Sequence, residues 1–302
     1  MLLKIAENDT IDYNNLRRQI RYLAQCEVNG IYCNGTAGEF YSQTIEEYQK
    51  IASLLAEEAS ALGVPFQIGA SDMNPTISLQ KIRYAASLNP TAIQVILPDW
   101  FPANEDVQEA FLKRAIQAAD GIGLVLYNPP HAKKVLTPAD YIRLANRFEQ
   151  LVGIKTAGGD KAWYEQMQPV MNRLSVFIPG HFLATGISRG ASGSYSNVCA
   201  INPKKAQEWF EIICSCPQKG LEIEKSVLNF MRTVIDPLIN EEHYSNQSCD
   251  KFMATMGGWC DMCTRMRWPY QGIPQKKCDE ARERLREFAP FFCEFPSFTK
   301  IL

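Results

Sequence analysis

The apolar run Leu151-Val152-Gly153-Ile154 ends on Lys155, which is followed by small residues and two glycines. Such a run reads as a buried strand, and an ammonium at its end loses hydration. Desolvation disfavours the charged form and lowers a lysine's pKa. The neutral amine that results is a nucleophile toward carbonyls. Taken alone, Lys155 also reads as a side chain that snorkels to solvent or pairs with a surface carboxylate. Two further stretches favour the chemical reading. Tyr127 ends the run in GLVLYNPP (123–130), and a phenol can move the proton that lets a carbinolamine lose water. Gly35-Thr36-Ala37-Gly38, inside GTAGE (35–39), is a turn whose exposed N–H groups suit a carboxylate. Singly, Tyr127 reads as an ordinary strand-end residue and Glu39 as an acid at a helix N-terminus. Together the three predict Schiff-base chemistry.

These residues need elements to position them. Up to about residue 200, short apolar runs alternate with longer amphipathic stretches, the pattern of a parallel α/β fold. The runs are GIYCNG (30–35), PFQIGAS (65–71), TAIQVILP (91–98), GLVLYNPP, LVGIKT (151–156), LSVFIPG (174–180) and GASGSYS (190–196). TIEEYQKIASLLAEEA (44–59) and TPADYIRLANRF (137–148) read as helices, the second with Thr137 as N-cap and Pro138 at the first helical position. No GxGxxG follows the first run, so the dinucleotide fingerprint is absent. Seven strands plus a stub at Met1–Ile5 would close a (β/α)₈ TIM barrel over 1–205. From residue 206 to 302 the pattern is helical, including PKKAQEWFEIIC, LEIEKSVLNFMRTVIDPLI and SCDKFMATMGGWCDM, with no low-complexity linker. A C-terminal helical region packed on the barrel is expected.

In a barrel, GTAGE, the PDWFP turn (98–102), YNPP and Lys155 share the C-terminal face of the strands. Tyr127 and Lys155 would lie on adjacent strands about 4.8 Å apart. The 302 residues carry a net charge of −2, and no basic run points to nucleic acid or an anionic membrane. No apolar stretch approaches the roughly 18 residues of a membrane span, and MLLKIAENDTIDYNN lacks a signal peptide's apolar region. The ten cysteines read as reduced thiols of a cytoplasmic protein. Cys260 and Cys263 form one CxxC, half of a zinc site; neither a metal nor a disulfide is expected there.

GTAGEF resembles the GTTGE or GSTGE signature of the dihydrodipicolinate synthase and N-acetylneuraminate lyase superfamily. YNPP resembles its YNxP segment, VGIKTAGGD its GIKxxxGD segment, and GASGSYSNVCAINP its GAxGxIS…N…P stretch. The motifs come in the family's order over roughly residues 10 to 205. The resemblance implies a barrel with a helical tail, a homotetramer, and a class I lyase that forms an imine with pyruvate or another 2-keto acid, with no metal or organic cofactor. By motif, Lys155 is the Schiff-base lysine and Tyr127 the proton-transferring phenol. Thr36, with the N–H groups of Thr36 and Ala37, would bind the keto-acid carboxylate, and Gly180 and Ser194 would line the pocket.

The departures bear on substrate. Ala37 stands where the synthases carry a relay hydroxyl, and Trp100 where they carry a second tyrosine. Ala132, between His131 and Lys133, stands where they carry an arginine. GHFLATG brings His181 and Phe182 where the sialic-acid lyases hold sugar hydroxyls with acids. A less polar pocket is expected, with Trp100, Phe182 and Phe40 at its rim and His131 or His181 as spare donors. The expected substrate is a 2-keto-3-deoxy acid, cleaved by retro-aldol chemistry or dehydrated. The alternatives are a keto-acid-binding or regulatory paralogue without turnover and a divergent dihydrodipicolinate synthase. The apolar Phe230, Met253 and Trp259 of the tail helices are the residues expected to face other subunits.

Overall fold

A computed structural model describes residues 1–294; residues 295–302 of the expected helical region lie outside the described residues. Helix starts follow their caps. Asp12, Thr44, Asn74, Asn104, Thr137 and Asp160 each accept a backbone N–H in the first turn of the helix that follows, which satisfies donors that a helix leaves unpaired. Thr44 with Glu47 and Thr137 with Asp140 form full capping boxes. The order is α1 (Tyr13–Gln25), β1 (Ile31–Cys33), α2 (Ile45–Leu62), β2 (Phe66–Gly69), α3 (Pro75–Ser87), β3 (Ala92–Ile96), α4 (Glu105–Ala119) and β4 (Leu124–Tyr127). It continues with α5 (Pro138–Arg147), β5 (Leu151–Lys155), α6 (Lys161–Met171), β6 (Ser175–Pro179), α7 (Leu183–Ser188) and β7 (Gly193–Tyr195).

The seven strands pair in chain order, β1 to β7, all parallel. This is a nearly closed TIM barrel with its helices outside. Strand ends at Cys33, Gly69, Ile96, Tyr127, Lys155, Pro179 and Tyr195 all fall inside the seven apolar runs of the sequence. Ile68, Ile93, Val95, Leu124, Leu126, Ile154 and Val176 are buried, as strands covered on both faces require.

The expected stub at Met1–Ile5 forms no strand. Ile5 makes only an isolated antiparallel bridge to Ile11. The chain turns back between them, with Ala6 N–H bonded to Thr10 O and Asp9 in the left-handed region at φ 61°. Leu2, Leu3 and Ile5 are still buried. The Met1 amine donates to Tyr32 O of β1 at 2.8 Å. The segment is therefore held against β1 and buried without pairing as a strand.

The tail comprises α8 (Pro203–Ser215), α9 (Pro217–Phe230), α10 (Asp236–Asn240), α11 (Asn246–Gly257) and α12 (Lys277–Phe288). The helix expected through SCDKFMATMGGWCDM stops at Gly257, because Gly258 takes the left-handed conformation at φ 66° and caps it. Trp259 stacks on Tyr22 of α1 and donates to Ala200 O. Phe230, Met253 and Trp259 are 0%, 1% and 3% exposed. They belong to the chain's own core and carry no argument about other subunits. No helix among the described residues is long and apolar enough to cross a membrane.

Candidate active site

Register brings the reactive pair together. Tyr127 and Lys155 are direct partners across β4 and β5. The Lys155 ammonium lies 4.1 Å from the centroid of the Tyr127 ring and 5.0 Å from that of Tyr195. Among the described residues no carboxylate oxygen lies within 4.0 Å of it. The lysine is half-buried by area because it borders the open mouth, yet protein surrounds it. Burial lowers its pKa to about 8, against a smaller opposing pull from Asp250. At pH 7 roughly a tenth of Lys155 is neutral, whereas an ordinary lysine is neutral in fewer than about one molecule in a thousand. Tyr127 is pushed the other way. Burial, then the Asp250 charge, raises its phenol to about 12, while Thr36 opposes through a side-chain hydrogen bond. Tyr127 therefore stays protonated at neutral pH, as a proton donor must.

Below this pair the barrel interior is polar. Tyr32 donates to Gln94 Oε1 at 2.5 Å and Tyr195 donates to Gln67 Oε1. The two tyrosine rings meet edge-on at 4.9 Å. Room for Tyr32 comes from glycine, since a Cβ at Gly35 would sit 2.3 Å from its ring. Ser194 Oγ and Gln94 Nε2 are buried with no hydrogen-bond partner among the described residues.

Thr36 and Ala37 occupy the loop after β1, half-buried, and Thr36 reaches Tyr127. Gly180 follows β6 and is buried; a Cβ there would lie 2.4 Å from Ser196 Oγ. His181 is half-buried beside it, with Nδ1 paired to the Asn197 amide. Burial lowers the imidazole pKa and Asn197 opposes, so His181 is neutral at pH 7. Trp100, 66% exposed after β3, has Lys133 Nζ 5.3 Å from its ring centroid and bonded to its carbonyl. Phe182 is exposed and Phe40 half-buried. His131 is exposed in the loop after β4, and the structure gives it no link to Lys155. Cys260 is buried, while Cys263 is half-buried with its Sγ directed at Ile5 O. Among the described residues no three or more His, Cys, Asp or Glu side chains are arranged for a metal.

Sequence reasoning missed three groups here. Tyr32 sits in the middle of its apolar run and Tyr195 ends its strand, and alternation along those runs would have turned them inward. Asp250, on α11, acts on both Lys155 and Tyr127, and nothing local in SCDKF announces it.

A sequence model of the dihydrodipicolinate synthetase family matches residues 1–286. The chain is 26% identical over 210 residues to N-acetylneuraminate lyase 2 of Escherichia coli O6:H1, which covers 68% of each protein. It is 25% identical over 289 residues to the 4-hydroxy-tetrahydrodipicolinate synthase of Pelagibacter ubique, covering 92% of this chain and 94% of that one. Its fold is similar to that of a prophage protein of the dihydrodipicolinic acid synthase family from E. coli K12, solved in complex with pyruvate. The TM-score is 0.82 at 18% identity, over 95% of this chain and 96% of the other.

Proposed function

The chain belongs to the dihydrodipicolinate synthetase family, and from that premise we propose that it is an aldolase-type lyase whose Lys155 forms an imine with pyruvate or a 2-keto-3-deoxy acid. One observation carries the reading: a buried, unpaired amine with its pKa lowered to about 8 lies 4.1 Å from the ring of a tyrosine that stays protonated. The neutral amine attacks C2 of the keto acid, whose carboxylate lies against Thr36 and the N–H groups of Thr36 and Ala37. The carbonyl electron pair moves to oxygen, which takes two protons, one shed by the attacking nitrogen and one from an acid, and leaves as water while the nitrogen lone pair closes the iminium; Tyr127 is the donor within reach. Gly180 and Ser194 line the pocket; the unpartnered Ser194 Oγ is a free donor or acceptor for a polar substrate group.

The iminium then draws electrons from the bond beyond C3. Cleavage needs a base for a C4 hydroxyl, whereas dehydration needs an acid for a departing one. His181, neutral at pH 7, suits the first, so retro-aldol cleavage is the favoured direction. Trp100 and Phe182 form an apolar rim, and the exposed His131 is a donor for a distal substrate group. A homotetramer in the cytoplasm is the proposed assembly and setting, on the strength of the family resemblance. No bound organic cofactor or metal takes part in the proposed steps.

Incubation with pyruvate and sodium borohydride should add one reduced adduct, mapped to Lys155. Lys155→Arg should abolish it, because a guanidinium stays protonated. A 2-keto-3-deoxy acid that is trapped but never turned over would move the reading to a keto-acid-binding protein. A wild-type chain that traps no keto acid would end the Schiff-base reading.

A further inference from the structure

Among the described residues Lys155 has no counter-ion in contact, so other groups must fix where its nitrogen sits. Two aromatic rings do so. Its Nζ lies 4.1 Å from the centroid of the Tyr127 ring and 5.0 Å from that of Tyr195, both inside the roughly 6 Å over which a cation is drawn to an aromatic face. Tyr127 already has a task as proton donor. Tyr195 has none so far. It ends β7, and its hydroxyl donates to Gln67 Oε1 on β2. Its ring is held from three sides. The hydroxyl anchors one end across the barrel. The Tyr32 ring of β1 meets it edge-on at 4.9 Å and 79°, and the Phe177 ring of β6 does so at 5.0 Å and 73°. Phe177 is in turn the register partner of Lys155. A ring that only filled space would need no hydroxyl, a group that costs free energy in an interior unless it is bonded. Here the hydroxyl is bonded, and the bond sets the ring's direction.

We propose that Tyr195, aimed by Gln67, Tyr32 and Phe177, is a positioning residue of this site, whose ring joins that of Tyr127 in a cradle for the charged nitrogen of Lys155, as ammonium before condensation with a 2-keto acid and as iminium after it. The second half rests on the Schiff-base reading above. An aromatic face draws a cation without offering it a strong base, so it centres the nitrogen and leaves the proton free to depart. A carboxylate in contact would hold the proton as well. The two cations also differ. An ammonium is compact and strongly hydrated, whereas an iminium spreads its charge over nitrogen and carbon and binds water less, so the cradle suits the second better. The titratable groups that act on Lys155 are Tyr127 on β4 and Tyr195 on β7, by contact, and Asp250 on α11 and the Met1 amine, by charge.

Tyr195→Leu separates this role from space-filling, because the two predict opposite signs. The readout is the pH midpoint at which Lys155 becomes reactive toward acetic anhydride, followed by peptide mass; it needs no keto acid. If Tyr195 only fills space, a smaller side chain admits water and the midpoint rises from about 8 toward 10.5. If its ring draws the ammonium, loss of the ring lowers the midpoint by roughly half a unit to one and a half units. Tyr195→Phe keeps the ring and should stay close to wild type. At pH 9, where most of the Lys155 amine is neutral, the pyruvate concentration that half-saturates borohydride trapping should rise roughly 2–30-fold in Tyr195→Leu, since the lost face then counts against the iminium alone. If Tyr195→Leu fails to fold, phenylalanines of increasing ring fluorination at position 195 carry the comparison. They nearly keep the ring's shape while draining charge from its face, and should lower the midpoint stepwise. A midpoint that rises or stays in Tyr195→Leu, or that ignores fluorination, overturns the inference and leaves the Schiff-base reading standing. A wild-type chain that traps no keto acid ends the Schiff-base reading and the iminium half of this one, and the acetylation midpoint still decides the ammonium half.

Discussion

Lys251, at the seam between barrel and tail, is fully buried, and its ammonium meets the equally buried carboxylate of Glu39. It also donates to Arg265 O at 2.7 Å, and the second Glu39 oxygen accepts from Arg267 N at 2.9 Å. Arg267 in turn clasps Glu47 through both terminal nitrogens. Lys155, at the barrel mouth, has aromatic faces around it and, among the described residues, no carboxylate within ion-pair reach; only the charge of Asp250 acts on it. Burial depresses both amines. At the seam Glu39 opposes that depression by charge and by hydrogen bond, whereas at the mouth only a distant charge does. Desolvation alone therefore marks neither structure nor chemistry. The partner decides: a carboxylate in contact fixes a lysine as a cation that joins two elements, and a carboxylate held back leaves an amine that can lose its proton.

That contrast can be broken from either side. The largest effect should come from Tyr127→Phe, which leaves the mouth's shape nearly intact and should lower turnover roughly 10²–10⁴-fold, up to about 5 kcal/mol in the barrier. Its melting temperature should stay close to wild type, and a large fall would make Tyr127 part of the scaffold instead. At the seam, Lys251→Ala strands the Glu39 charge in the interior and should destabilise the fold by about 3–5 kcal/mol in urea unfolding. A loss below about 1 kcal/mol would mean that water reaches Glu39 and that the seam is looser than its burial indicates.

The smallest effect has the opposite sign. Lys155→Met should stabilise the protein at pH 7 by up to about 3 kcal/mol while ending adduct formation. The folded-state pKa of Lys155, about 8, lies below the ordinary 10.5. The penalty for holding its charge is thus full below pH 8, fades as pH rises toward 10.5, and is gone above that. The gain from Lys155→Met should follow the same window in melts taken from pH 7 to 10. A constant gain across that range would assign it to packing.

How much of this was legible in the sequence depends on the range of the interaction. Alternating apolar runs located all seven strands, because both faces of a parallel strand are buried and leave a continuous signal. Lys155 and Tyr127 were legible as a pair because consecutive strands of a barrel are neighbours. The stub at Met1–Ile5 was misread: its leucines are as buried as strand residues, but Asp9 turns the chain back at φ 61°. Phe230, Met253 and Trp259 were misread as an outer face, since the helical period shows that a helix has an apolar side and not which element covers it. Asp250 and Lys251 were not legible at all. In SCDKF they look like a solvated pair of charges, and only the docking of α11 on the barrel carries Lys251 to Glu39 and lets the Asp250 charge act on Lys155.

The Glu39–Lys251 contact spans 212 residues of chain, which has a consequence for biosynthesis. Glu39 leaves the ribosome while its partner is still to be made. At typical translation speeds of about 5–20 residues per second the wait is roughly 10–40 seconds. During it, the nascent barrel holds an acid with no counter-ion beside the turn at 35–38, together with the apolar surface that the tail will cover. The turn at 35–38 is therefore braced only once Lys251 has been made.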